Sequence, residues 1–148
     1  MIRKFHHDDT NAVLRVWYEA NKLAHPFLSE DFLAEVRLKV RDIYLPNTES
    51  HVVEQHGEVV GFISLISHPD SIPEVGAIFI EPAFIGKGFG RMLMDHVVAD
   101  HPRLCLDVFA ENTIGRRFYD RYGFKEVRRY AFEATGDTVV TLKLGKAL

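Results

Sequence analysis

Apolar positions along this chain fall into two periods, and the switches between them mark out its elements. Ile2 to Phe5 reads as a short strand. Asp8 or Asp9 can accept orphan N–H bonds and open a helix to about Ala24. Its apolar residues Val13, Val16, Trp17, Ala20 and Ala24 recur at three- and four-residue steps, so one face is buried. His25-Pro26 ends it, because the residue before proline is pushed out of the helical region. Ser29 offers a second cap, with Glu30 and Asp31 favourable to the helix dipole. Phe32, Val36, Val40 and Ile43 form the expected buried stripe of that second helix, which Leu45-Pro46-Asn47 stops.

The period then changes. His51 to Gln55 and Glu58 to Ile66 read as strands joined tightly at His56-Gly57. After a polar loop from Ser67 to Pro73, Glu74 to Ile80 is nearly continuously apolar and so is placed centrally in the sheet. The cluster Gly86-Lys87-Gly88-Phe89-Gly90 leads into a helix through Arg91 to Val98, and Leu104 to Val108 is the next strand. A further helix runs from about Asn112 to Tyr122 and stops at Gly123. Two last strands, about Phe124 to Phe132 and Thr138 to Leu144, turn at Ala134-Thr135-Gly136-Asp137. The order β-α-α-β-β-β-α-β-α-β-β is mixed α/β, with antiparallel hairpins at both ends and a strand–helix–strand unit in the middle.

Composition narrows the class. A chain of 148 residues is the size of one domain, and hides about 70% of its unfolded surface on folding. Its 26% charged and 47% apolar residues exclude disordered, collagen-like and coiled-coil chains. A net charge of −3 supplies no global positive field for nucleic acid. The longest apolar stretch, Val59 to Ile66, is far below the roughly 20 residues that span a bilayer. Cys105 has no partner for an internal disulfide, which fits a reducing compartment. The expectation is a cytoplasmic protein with one domain over residues 1–148. Eight histidines show no metal-ligand spacing, His6-His7 is too short a tract, and no metal is expected.

The strongest chemical signal is the glycine cluster between a buried strand and a helix. Glycines let the backbone approach a ligand closely, and the helix N-terminus offers aligned donors to an anion such as phosphate. The spacing is not that of a dinucleotide fingerprint, because position 91 is arginine, and no Gly-Lys-Ser/Thr follows. A second signal lies in Asn112, Gly115 and Tyr119, which share one stripe of their helix and suit a long, thin ligand. Each signal also has a plain reading: a tight strand-to-helix turn, and an N-cap with a boundary aromatic.

Together they resemble a family. Glu81-Pro82-Ala83-Phe84-Ile85-Gly86-Lys87-Gly88-Phe89-Gly90 is similar to the acetyl-CoA loop of the GNAT N-acetyltransferases, Gln/Arg-x-x-Gly-x-Gly/Ala after an apolar strand. Asn112-Thr113-Ile114-Gly115-Arg116-Arg117-Phe118-Tyr119, then Tyr122-Gly123-Phe124, looks like the second signature of that family. Ala24-His25-Pro26-Phe27 is similar to a stretch in some small bacterial members. The resemblance implies a mixed, twisted, mostly antiparallel sheet of about seven strands with about four helices.

It also implies roles. Acetyl-CoA is the donor co-substrate and an amine the acceptor, with direct transfer and no covalent enzyme intermediate. Ile85, Gly86, Lys87, Gly88, Phe89, Gly90 and Arg91 belong to the pyrophosphate loop, whose amides from Gly86 to Arg91 hold the diphosphate. Ile78, Phe79 and Ile80 pair with the pantetheine arm, and a backbone N–H, that of Ile80, polarises the thioester. Asn112 bonds the arm from the other side, and Tyr119 reaches the sulfur as general acid. The amine, with a pKa near 10.4 when lysine-like, calls for a base. Glu74 and Asp107 each occupy a position used by one branch of the family, with Glu74 slightly ahead. His25 is a third choice and, with Phe27, lines the acceptor side.

Two positions depart from the family pattern. Ile85 stands where Gln or Arg is usual, which predicts weaker donor binding, and Gly115 replaces alanine, which leaves more room beside the ligand. Six cations against two carboxylates in residues 116–129 suit the CoA 3′-phosphate or a solvated surface equally. A protein lysine or N-terminal amine, a small-molecule amine, and a non-catalytic acetyl-CoA sensor all remain open, as do monomer and homodimer.

Overall fold

A computed structural model describes residues 1–145. Seven strands form one sheet in the order β1-β2-β3-β4-β5-β7-β6: β1 Ile2–Lys4, β2 Glu49–Gln55, β3 Glu58–Ile66, β4 Glu74–Ile80, β5 Leu104–Phe109, β6 Lys125–Ala131 and β7 Thr138–Leu144. All neighbours are antiparallel except β4 and β5. Four main helices, α1 Thr10–Ala24, α2 Glu30–Lys39, α3 Phe89–Val98 and α4 Thr113–Tyr122, cover the sheet. Alternation along the strands sorts the core into two layers. Val52, Phe62 and Phe79 pack with Val13, Val16, Trp17 and Leu33 of α1 and α2. Val53, Ile63, Ile78 and Ile80 pack with Leu93, Met94, Val97 and Tyr119 of α3 and α4.

Local signals explain most boundaries. His56 and Gly57 both have positive φ, 53° and 77°, the backbone of a two-residue hairpin turn whose twist suits its strands. Asp9 stands at the N-cap of α1, as expected, but its side chain makes no cap bond there. A 3-10 turn, His7–Asp9, precedes the helix and is capped by His6, whose Nδ1 accepts from Asp8 N at 3.2 Å while the Asp9 carboxylate accepts from His6 N at 2.8 Å. Asp9 is held there by a two-pronged ion pair with Arg3 at 2.8 and 2.9 Å, which lowers its pKa.

The second helix departs further. Leu33 and Val40 are buried and Phe32 and Val36 half-buried, but Ile43 is 52% exposed. Val40–Tyr44 is a π-helical turn, closed by the Leu45 N–H donating to Val40 O. The wider turn rotates Ile43 outward, and Leu45, 4% exposed, takes the core position.

Between β4 and β5 the sheet parts. β3 and β4 stay in register from Gly61↔Ile80 to Ser64↔Ala77, then shift, leaving Gly76 unopposed as a bulge. A Cβ at Gly76 would stand 2.7 Å from Ile66 Cδ1, so a side chain there would push the Ile66 tip aside. β4 and β5 pair at Glu74↔Cys105 alone. The central position expected for β4 is correct, yet Ala77 to Ile80 are only half-buried because one flank of the strand faces a gap.

Candidate active site

That gap opens a cleft of about 680 Å³ between the ends of α1 and α2, β4, the glycine loop, β5 and α4. Its chemistry begins with backbone. Glu81 N donates to Val60 O at 2.8 Å, and antiparallel pairs alternate between facing and turning from their partner. Continuing the register, Phe79 bonds toward Phe62 of β3, while the N–H and C=O of Ile78 and Ile80 turn toward the gap. Phe79 therefore offers a ring to the cleft, not free backbone groups.

The glycine loop supplies donors. Gly86 and Gly88 have φ of 85° and 88°, and open space surrounds both positions. Gly88 caps α3 without a side-chain bond, and the first backbone bond of that end is donated by Met92 to Gly88 O at 3.0 Å. The amides from Gly86 to Arg91 stay available for an anion, as orphan N–H groups at a helix start do. Gly90 serves packing instead. A Cβ there would stand 3.3 Å from the Phe118 ring, so its absence lets α3 approach α4. Ile85, 40% exposed, and Arg91 line the cleft; Lys87 is exposed and does not. Arg91 lies over the Tyr122 ring at 5.6 Å.

Asn112 and Tyr119 reach the cleft from α4. Asn112 Oδ1 caps the helix, accepting from Gly115 N at 2.9 Å, which leaves its NH2 as the free end. A Cβ at Gly115 would come 2.6 Å from that Nδ2, so the space expected beside the ligand is taken by Asn112 itself. Tyr119 is 8% exposed, and burial alone pushes its phenol well above its usual pKa. It therefore stays protonated at neutral pH, as a proton donor must.

The candidate bases separate. Glu74 accepts from His68 Nε2 at 2.9 Å, at the paired end of β4, and does not line the cleft. Asp107 does line it, but both its oxygens are engaged, by Tyr130 Oη at 2.5 Å and Thr141 Oγ1 at 2.6 Å. The carboxylate raises the Tyr130 phenol, with burial the larger cause, to about 12. His25 lines the cleft and is 7% exposed; burial lowers it to about 4. Its Nδ1 lies 2.7 Å from Asn21 Oδ1. Phe27 packs edge-on against His25 and Phe109, at 5.7 and 5.4 Å, behind the cleft wall rather than in it.

Sequence reasoning missed Asn21, Phe109 and Phe132. The four-residue step from Asn21 to His25 was a usable signal, since it puts both on one helix face. The meeting of Phe132 with Phe109, at 5.5 Å, depends on tertiary folding. Among the described residues, His6, His7 and Asp8 place three ligand-type atoms within 4.8 Å of one another, all exposed and outside the cleft. No helix among those residues is long and apolar enough to cross a membrane.

A parted mixed sheet, a donor-rich glycine turn and a buried phenol along one cleft suit a long ligand that carries a phosphate and can add to a strand edge. Residues 46–126 match the acetyltransferase (GNAT) domain family. The chain is 32% identical to the peptidyl-lysine N-acetyltransferase YiaC of Escherichia coli, over 84% of this chain and 82% of that one. It is 31% identical to the peptidyl-lysine N-acetyltransferase YjaB of Salmonella typhimurium, over 97% and 95%. The solution structure of apo YjaB from Escherichia coli superposes with a TM-score of 0.83 at 27% identity, over 99% and 98%. The PaiA N-acetyltransferase of Thermoplasma acidophilum, solved with coenzyme A, shares the fold, with a TM-score of 0.78 at 18% identity over 95% and 96%. This chain belongs to the GNAT acetyltransferase family. It is an acetyl-CoA-dependent N-acetyltransferase.

Proposed function

We propose that the enzyme acetylates the side-chain amine of protein lysines, by direct transfer from acetyl-CoA in a ternary complex. The observation that carries the reading is the alignment in one cleft of three groups of donors: the amides from Gly86 to Arg91, the gap-facing backbone of Ile78 and Ile80, and the Tyr119 phenol. The loop amides receive the diphosphate, assisted by the positive end of α3. Ile78 and Ile80 hold the amide-bearing arm, with the Ile80 N–H polarising the thioester carbonyl. Asn112 Nδ2 steadies the arm from α4. Tyr119 gives its proton to the leaving thiolate, a mild demand because a thiol titrates near 8.5. The names of YiaC and YjaB as peptidyl-lysine N-acetyltransferases support a lysine acceptor. The acceptor half of the cleft, lined by Leu28, Phe32, Leu33 and Val36, suits the aliphatic stem of that side chain.

Calorimetric titration with acetyl-CoA tests the donor site, using wild type and Gly88→Trp. Wild type is expected to bind at micromolar concentrations, and the variant to lose binding, because φ of 88° is strained for any L side chain. A screen of lysine peptides and small amines, with Tyr119→Phe as control, then tests turnover. Small-amine turnover without peptide turnover would overturn the lysine assignment, and binding without turnover would make the protein a sensor.

A further inference from the structure

Direct transfer also needs a group that takes a proton from the acceptor. We propose that His25 Nε2 is that group and that Asn21 is the positioning residue that fixes its tautomer; this rests on the acetyltransferase reading.

One amide sets the geometry. Asn21 Nδ2 donates to Trp17 O at 2.9 Å, within α1. Turning the amide over would set its oxygen against that carbonyl oxygen, two acceptors face to face, so Oδ1 must be the end that meets His25. An acceptor at 2.7 Å from Nδ1 requires the proton on Nδ1. Nε2 is then the ring's lone-pair nitrogen, on a residue that lines the cleft. The alternative bases lack this freedom: both Asp107 oxygens are already accepting, and Glu74 is outside the cleft.

The surroundings keep the imidazole neutral and ready. Asn21 faces it from its own helix, Phe79 from β4 at 6.5 Å, Phe109 from β5 at 5.1 Å and Phe27 from the following loop at 5.7 Å. None of these carries a charge, and desolvation is the one cause of its lowered pKa. The same dry surroundings lower the pKa of an ammonium brought among these rings, which narrows the gap between donor and acceptor of the proton.

The proton balance closes. His25 Nε2 takes one proton from the ammonium, and the freed nitrogen lone pair forms the C–N bond to the thioester carbonyl. The C–S bond breaks and the thiolate takes the Tyr119 proton. The excess proton on the new amide nitrogen returns to the Tyr119 phenolate, and His25 releases its own to solvent. The products are one acetamide, one thiol and one proton.

The test is the pH profile of kcat for wild type, His25→Gln and Asn21→Asp, with the amine acceptor that wild type turns over fastest. His25→Gln is expected to lower kcat at pH 7 by about 100-fold. Its kcat should climb with pH toward the acceptor's own pKa, where wild type has levelled off, and acetyl-CoA affinity should stay within about threefold. Asn21→Asp retains the imidazole but sets a carboxylate beside Nδ1, so the acid limb of kcat should move upward by about one pH unit or more. His25→Gln with kcat within about threefold of wild type and an unchanged profile would overturn the proposal. So would an unmoved acid limb in Asn21→Asp, a variant that keeps every buried ring. An absence of turnover in wild type with every amine would instead remove the enzyme reading, and this inference with it.

Discussion

At Asn112 a role in the fold and a proposed role in the site can be separated. Its Oδ1 caps α4 and its NH2 is free toward the cleft. Asn112→Asp keeps the cap oxygen but replaces the donor with charge. It is expected to melt within a degree or two of wild type while binding acetyl-CoA at least tenfold more weakly in calorimetry. Asn112→Ala loses both, at a stability cost of about 1 kcal/mol. His25 carries a stability signature of its own. Its folded pKa of about 4 lies below the ordinary histidine value of 6.5, so the unfolded chain binds more protons between those values. Its contribution is full above pH 6.5 and is lost as pH falls toward 4, up to about 3 kcal/mol. Urea titrations at about pH 7 and 4.5 should show this loss shrinking in His25→Gln. At this scale the sequence displayed Tyr119, Asn112 and the loop glycines, because motif spacing ties them to one helix face or one turn. It put Glu74 slightly ahead of Asp107 and His25 third, without sight of what surrounds each. What separates Glu74, Asp107 and His25 is who already bonds them, and His68, Tyr130 and Thr141 come from other parts of the fold.

Elements were legible wherever the period of apolar residues was regular. The strands of the first hairpin, the turn at His56-Gly57 and the stop at Gly123 follow from local chemistry that no packing has to correct. The second helix was not, because a π turn inserts a rotation that a period of 3.6 cannot anticipate. The rotation can be tested. Ile43→Lys, on the apolar-stripe expectation, would wreck the core; in the structure it should change stability by less than about 0.5 kcal/mol. Leu45→Ala should cost about 2–5 kcal/mol, since that side chain is the buried one. Denaturant midpoints of the two variants decide between the registers.

The whole molecule joins two helix-backed layers through a sheet held across β4 and β5 by a single ladder pair. A ligand bridging that gap ties β4, the α3 start and α4 together, and binding only the folded state shifts the unfolding equilibrium. At acetyl-CoA concentrations about 100 times its Kd the gain is about 2.7 kcal/mol, which for a chain of this size raises Tm by about 5–10 °C. Gly88→Trp should show no such shift in a thermal melt. The hairpins and the strand–helix–strand unit were legible in the chain order, but neither the place of β7 between β5 and β6 nor the parting of β4 from β5 was, because both depend on how distant strands meet. The parting also bears on self-association. An unpaired strand edge invites any chain with a free backbone to add to it, and proteins usually blunt such edges. The outer edges here are blunted, β1 by its three-residue length and β6 by exposed Lys125, Arg128 and Arg129. The remaining open edge lies inside the cleft, out of reach of a neighbour's strand but within reach of a slender amide-bearing arm. Hunger for a backbone partner, a route to aggregation at the rim of a sheet, becomes on the proposed donor site a means of binding when the edge is turned inward.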